Sequence, residues 1–89
     1  MAETIPQMEQ VGIVQGFFAR PSAAVITLTK GTLKSGERIY IKGHTTDLRQ
    51  VVESMQMDHV DVAEAKQGST IGMRVTDRVR PHDIVYRLG

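Results

Sequence analysis

The 89-residue sequence contains no cysteine and no tryptophan. Without thiols there is no disulfide framework, no zinc-finger chemistry and no thiolate nucleophile. No stretch approaches the roughly 20 consecutive apolar residues that a bilayer-spanning helix needs. The opening MAETIPQMEQ has neither the basic flank nor the apolar run of a secretion signal. These absences place the expected chain in the cytoplasm, away from membranes. An excess of one charge is also missing, because 11 Lys and Arg against 10 Asp and Glu leave a net charge of +1. So even a balance exerts no long-range pull on a polyanion, and nucleic-acid binding would require a local cluster of cations.

What is present is enough for one modest core. The hydrophobic fraction is 40%, and a chain this short makes a single domain. Residues 1–8 read as a flexible tail and 9–89 as one folded unit. Val11 to Phe18 forms a strand pattern, followed by a turn at Arg20-Pro21-Ser22. Ala23 to Thr29 alternates, with Ala24, Ile26 and Leu28 on one face and Val25 and Thr27 on the other. Leu33 pins the connection from Lys30 to Ser35, and Gly36 is expected to take a positive φ ahead of a strand over 37–42. A loop over 43–47 leads to the longest strand, Leu48 to about Asp58, whose alternation changes phase. A β-bulge near Glu53 to Met55 would turn Val52, Met55 and Met57 inward together.

Val62 and Ala65, three apart and followed by Gly68, predict one short helical turn near 62–66. Ile71, Met73 and Val75 alternate as a strand, Arg78 to His82 turns around Pro81, and Asp83 to Leu88 closes the chain. Five to seven short strands punctuated by Gly and Pro describe an all-β fold, a small antiparallel barrel. Closure removes the exposed strand edges that an open sheet of this size would present.

The spacing Gly31-Thr-Leu-Lys-Ser-Gly36 opens like a phosphate-binding loop, but the next two residues exclude one. That chemistry needs a lysine on the outer phosphates and a hydroxyl on magnesium, and here Glu37 and Arg38 occupy the two places. A strand pattern follows rather than a helix whose N-terminal amides face an anion. No nucleotide site is expected. His44, His59 and His82 share no metal-ligand spacing, and no Ser or Thr lies in a nucleophile motif. No catalytic residue, metal or cofactor is therefore assigned, and the chain is read as a non-enzyme.

Binding residues are the better candidates. Lys42, His44 and Arg49 flank one loop, while Arg74, Arg78 and Arg80 gather in the last third. Either group, brought together by barrel closure, could hold a phosphate backbone through charge-assisted hydrogen bonds. Ordinary solvated surface is the competing account of each group. Phe17 and Phe18 are adjacent, so on a strand they point to opposite faces. One belongs to the core, and the other is covered by the Arg20-Pro21 turn or free to stack on a base or anchor a protein.

With the turns placed, Lys30-Gly-Thr-Leu-Lys-Ser-Gly-Glu-Arg-Ile-Tyr-Ile-Lys-Gly43 resembles the signature of the second domain of translational GTPases such as elongation factor Tu. That signature runs basic-Gly-Thr-[Ile/Leu]-Lys-x-Gly-[Asp/Glu]-x-[Val/Ile]-x-Ile-x-Gly. Further pieces follow in the family's order. Val52 to Met57 resembles the central strand, and Ala65-Lys-Gln-Gly68 with Ile71-Gly-Met73 resembles the next segment. Asp83-Ile-Val85 resembles the closing Gly-Asp-[Val/Ile]-[Ile/Val]. Two departures stand out: Ser69 where the family commonly has an aspartate, and Pro81-His82 where it commonly has a basic residue and a glycine. The resemblance implies a translation-factor barrel without its GTPase domain, similar to short elongation factor-like proteins. Similar barrels also end some collagenase-like peptidases, including members linked to transfer-RNA modification. The implied function is a non-catalytic adaptor contacting transfer RNA, ribosomal RNA or a translation factor. The alternative is a protein-interaction subunit of a separately encoded peptidase-like or tRNA-modifying enzyme.

Overall fold

The computed structural model describes residues 8–20 and 22–88. Of the expected tail, only Met8 falls among them, and it opens the first strand. Ten strands follow: β1 (Met8–Phe18), β2 (Ala23–Leu28), β3 (Thr32–Lys34), β4 (Arg38–Lys42), β5 (Asp47–Val51), β6 (Met55–Met57), β7 (Val60–Val62), β8 (Glu64–Lys66), β9 (Thr70–Arg74) and β10 (Ile84–Leu88). Eight of them form one antiparallel sheet in the order β5-β4-β10-β1-β2-β9-β6-β7, and β3 pairs with β8 apart from it. The described residues include no helix, hence none long and apolar enough to cross a membrane. The all-β reading holds, with more and shorter strands than the five to seven expected.

The sheet curls because its longest member bends. β1 pairs with β10 on one side and β2 on the other, and its register shifts between Gln10 and Gly12 and again between Val14 and Gly16. Each shift adds one residue and sharpens the local twist. As a result Val11 and Val14, which strict alternation would send to opposite faces, are both fully buried. Around them lie Ala24, Ile26 and Leu28 from β2, Ile39 and Ile41 from β4, and Ile71 and Met73 from β9. Burying each large aliphatic side chain stabilises the fold by about 1.5–3 kcal/mol before conformational entropy is counted.

Two expected features take a different form. The bulge foreseen at 53–55 is a break, because β5 ends at Val51 and β6 starts at Met55 against β9 instead of β4. Val52, Met55 and Met57 nonetheless turn toward the core, Met57 half-buried. Val52 stays tied to the earlier partner, its N–H donating to Glu37 O at 2.8 Å and its carbonyl accepting from Gly36 N at 2.8 Å. The helical turn near 62–66 does not form. Val62 ends β7, Ala65 centres β8, and the three-residue spacing reflects a bend at Ala63 between two short strands. Ala65 lies opposite Leu33 on β3, and both are buried. That long-range pairing satisfies the backbone and outweighs the local period.

Side chains complete the closure. Between β5 and the end of β9, the Gln50 amide donates to Arg74 O at 3.0 Å and accepts from Thr76 N at 2.9 Å. It takes the place of a peptide group at the seam. Ser22, beside Pro21 (outside the described residues), fastens the β1–β2 turn by donating from Oγ to Val75 O at 2.8 Å. At one end of the sheet Arg87 donates to Thr32 O at 3.1 Å and pairs with Glu9.

Candidate functional site

The β4–β5 hairpin carries the first group of expected binding residues. Ile39 and Ile41 point into the core, so Arg38, Tyr40 and Lys42 face outward. Opposite them on β5 are Val51, Arg49 and Asp47, and on β10 are Leu88, Tyr86 and Ile84. This register aligns Arg49, Tyr40 and Tyr86 across three strands. The Arg49 guanidinium sits 4.4 Å from the Tyr40 ring centroid, and the Tyr40 and Tyr86 rings stack at 6.2 Å with 27° between planes. Tyr40 is thereby only 7% exposed although it lies on the outer face. Lys42 and Arg49 share this face; His44 lies at the exposed hairpin tip.

Arg78 and Arg80 approach the same hairpin near its tip. With residues 45–48 and Asp77 they line a hollow of about 310 Å³. The hollow carries mixed charge, because Asp47 and Asp77 both border it. The Asp77 carboxylate accepts a 2.8 Å hydrogen bond from Arg78 N, which fixes the loop, and the Arg78 guanidinium lies 5.9 Å from the Phe17 ring. Arg74 is not part of this cluster. It faces Ala23 across β2 and borders a separate hollow with Ser54 and Gln56.

The adjacent phenylalanines divide between the two sides of β1. Phe17 packs half-buried on the core, whereas Phe18 is 60% exposed. Phe18 borders a shallow groove of about 410 Å³ that runs over Val25 and Gly72 to His59. The three histidines occupy three different turns, and among the described residues no three His, Asp or Glu side chains are placed to hold a metal ion. The chemistry of these surfaces is cationic, aromatic and aliphatic contact.

Sequence reasoning did not single out Arg38, Tyr40, Val51 or Tyr86. The alternation within Arg38-Ile-Tyr-Ile-Lys42 did contain part of the signal, since it places 38, 40 and 42 together. Arg49 reaches Tyr40 through the β4–β5 hairpin, whereas the register that sets Tyr86 beside Tyr40 is long-range and has no local trace.

No family model matches the chain. It is 41% identical over 80 residues to an uncharacterized protease of Methanocaldococcus jannaschii, a match covering 89% of this chain and 19% of the relative. It is 34% identical over 82 residues to a collagenase of Porphyromonas gingivalis, covering 91% of this chain and 23% of that one. The chain thus spans about one-fifth of the length of these relatives, 19% and 23%. Among solved structures, the C-terminal domain of a candidate U32 peptidase from Geobacillus thermoleovorans superposes with a TM-score of 0.83 and 15% identity, covering 100% of both chains. GDP-bound aIF5B from Aeropyrum pernix gives a TM-score of 0.64 at 15% identity, over 93% of this chain and 16% of that one. At such identities the likeness is one of fold. A translation-factor barrel is thus related in shape, and the peptidase C-terminal domain is the better superposition of the two.

Proposed function

We propose that this chain is a non-catalytic interaction module of a peptidase-type enzyme, holding a protein partner or substrate for catalytic residues that lie elsewhere. The observation that carries this reading is the pattern of coverage. Nearly the whole chain, 89%, corresponds to a 19% segment of a relative named as a protease. A segment that small and self-contained is the size of an accessory domain. Its surfaces suit contact more than reaction, since exposed cations lie over a floor of stacked tyrosines and a phenylalanine faces solvent. The reading favours the protein-interaction alternative of the sequence analysis over the RNA adaptor.

The RNA adaptor has less support. The likeness to aIF5B concerns fold, and fold does not fix function. Asp47 and Asp77 interrupt the cluster that Arg78 and Arg80 form with the hairpin, which weakens it as a phosphate site.

A deletion and rescue experiment tests the proposal. The matching segment is removed from the Methanocaldococcus protease, and peptide hydrolysis is measured with and without this chain added back. Lower activity on deletion, with partial recovery on addition, is the expected outcome. Full activity of the deleted enzyme would refute the accessory role, as would peptide hydrolysis by this chain alone.

A further inference from the structure

We infer that the outer face of β4, β5 and β10 is a docking surface for an acidic, extended protein segment with an aliphatic residue between its carboxylates. The inference stands on the surface chemistry of this face and does not require the peptidase reading. Three cations, Arg38, Lys42 and Arg49, project from two adjacent strands, against one carboxylate, Asp47. The ion pair within the face is weak, Arg49 to Asp47 at 3.9 Å, with the two side chains 67% and 72% exposed. Most of this positive charge is therefore available to a partner. Between Arg38 and Arg49 lies an aliphatic hollow of about 220 Å³, bordered also by Val51 and Leu88, with Lys42 farther along the face. Val51 is 44% exposed, an aliphatic side chain left in water amid cations.

The same geometry selects a protein over a nucleic acid. A base needs an open aromatic face for stacking. Here Tyr40 is 7% exposed, with Arg49 over its ring and Tyr86 stacked beside it. The pair forms a rigid floor instead of a stacking platform. On an extended chain alternate residues face the same side about 6.6 Å apart, so carboxylates at positions i and i+4 flank an aliphatic side chain at i+2 on one face while the intervening residues point away. Charge complementarity of this kind governs specificity and encounter rate more than raw affinity. The contact is accordingly weak for a short peptide and salt-sensitive.

Titration of the ¹⁵N-labelled protein by NMR tests this directly. The probes are an end-blocked Glu-Ser-Leu-Ser-Glu peptide, its Lys-Ser-Leu-Ser-Lys counterpart and single-stranded oligouridine. The acidic peptide is expected to shift amides within 38–42, 47–51 and 84–88, and added salt to reverse the shifts. The Arg38→Glu/Arg49→Glu variant is expected to bind at least about tenfold more weakly. Its spectrum reports whether it stays folded, and Arg38→Gln/Lys42→Gln provides a milder second test. Absence of shifts, shifts centred elsewhere, or an equal response to the basic peptide would overturn the inference. So would tighter binding of oligouridine at this face.

Discussion

Gly43 ends one piece of the sequence signature and Asp83 opens another, and the fold brings them into contact. A methyl group at Gly43 would collide with the Asp83 carboxylate, which is 4% exposed and accepts a 2.8 Å hydrogen bond from Arg80 N. Neither residue needs a ligand to explain it: the glycine makes room for a buried acid that organises the closing turn. Gly43→Ala is expected to destabilise the protein by about 2–3 kcal/mol, because the clash falls on a buried, hydrogen-bonded group. A thermal melt checks it, and an unchanged midpoint would dismiss the contact. Gly72 is the opposite case, with no atom within 4 Å of a built Cβ and no left-handed φ. Gly72→Ala should stabilise by about 0.4–1 kcal/mol through loss of unfolded-state freedom.

His82 completes the picture at this scale. The resembling family commonly has glycine there, and His82 keeps a glycine-like φ of 77°. Asp83 N donates to Arg80 O at 3.1 Å, so Arg80-Pro81-His82-Asp83 is a turn with proline at its second position and left-handed backbone at its third. Holding a non-glycine residue in that region costs about 1 kcal/mol or slightly more. His82→Gly is expected to raise the melting midpoint by roughly 4–8 °C for each kcal/mol recovered. A lower midpoint would mean that the imidazole makes a stabilising contact. The departure was visible in the sequence; the persistence of the glycine conformation beneath it was not.

Among the elements, legibility followed how local the determining interaction is. β2 and β4 read correctly because their alternation and their neighbours agree, and Gly36 takes φ 93° at the turn where strand onset required it. The segment from Leu48 to Met57 showed its phase change plainly, yet a bulge and a change of partner strand leave the same periodic trace. β8 misled because three residues, with one buried alanine, carry too little period to separate a turn of helix from a strand. The β6–β7 hairpin explains the turn at Asp58 and His59, whose φ values of 53° and 65° match a two-residue primed turn.

Gln50 is the element-scale feature with the sharpest consequence. It is the side chain that joins β5 to the segment following β9. Gln50→Ala is expected to cost about 0.5–1.5 kcal/mol, since the hydrogen bonds it removes are to exposed backbone groups that water can take over. Hydrogen exchange locates the effect: the Thr76 amide should lose protection well before amides of β1 and β2. Uniform loss across the sheet would show that the seam is not a separable unit.

At the scale of the whole molecule, near-neutral charge and a single core gave little indication of function, and the informative asymmetry lies in how charge is distributed. Lys42 and Arg49 meet on one face only because β4 and β5 are hairpin neighbours, while Arg74, grouped with Arg78 and Arg80 by sequence, lies apart from them. The candidate surfaces were thus partly legible as residue types and not as an arrangement. The barrel scaffold fits both peptidase-borne and translation-factor domains, and only the sequence identity to peptidase segments favours one context.

The central claim, that the chain recognises a peptidase-type partner and performs no chemistry itself, is tested most directly by calorimetric titration against the Methanocaldococcus protease lacking its matching segment. The account predicts saturable one-to-one binding, weakened by salt, with no peptide hydrolysis in the cell containing this chain alone. Absence of any binding heat at low salt, or hydrolysis by the isolated chain, would contradict it.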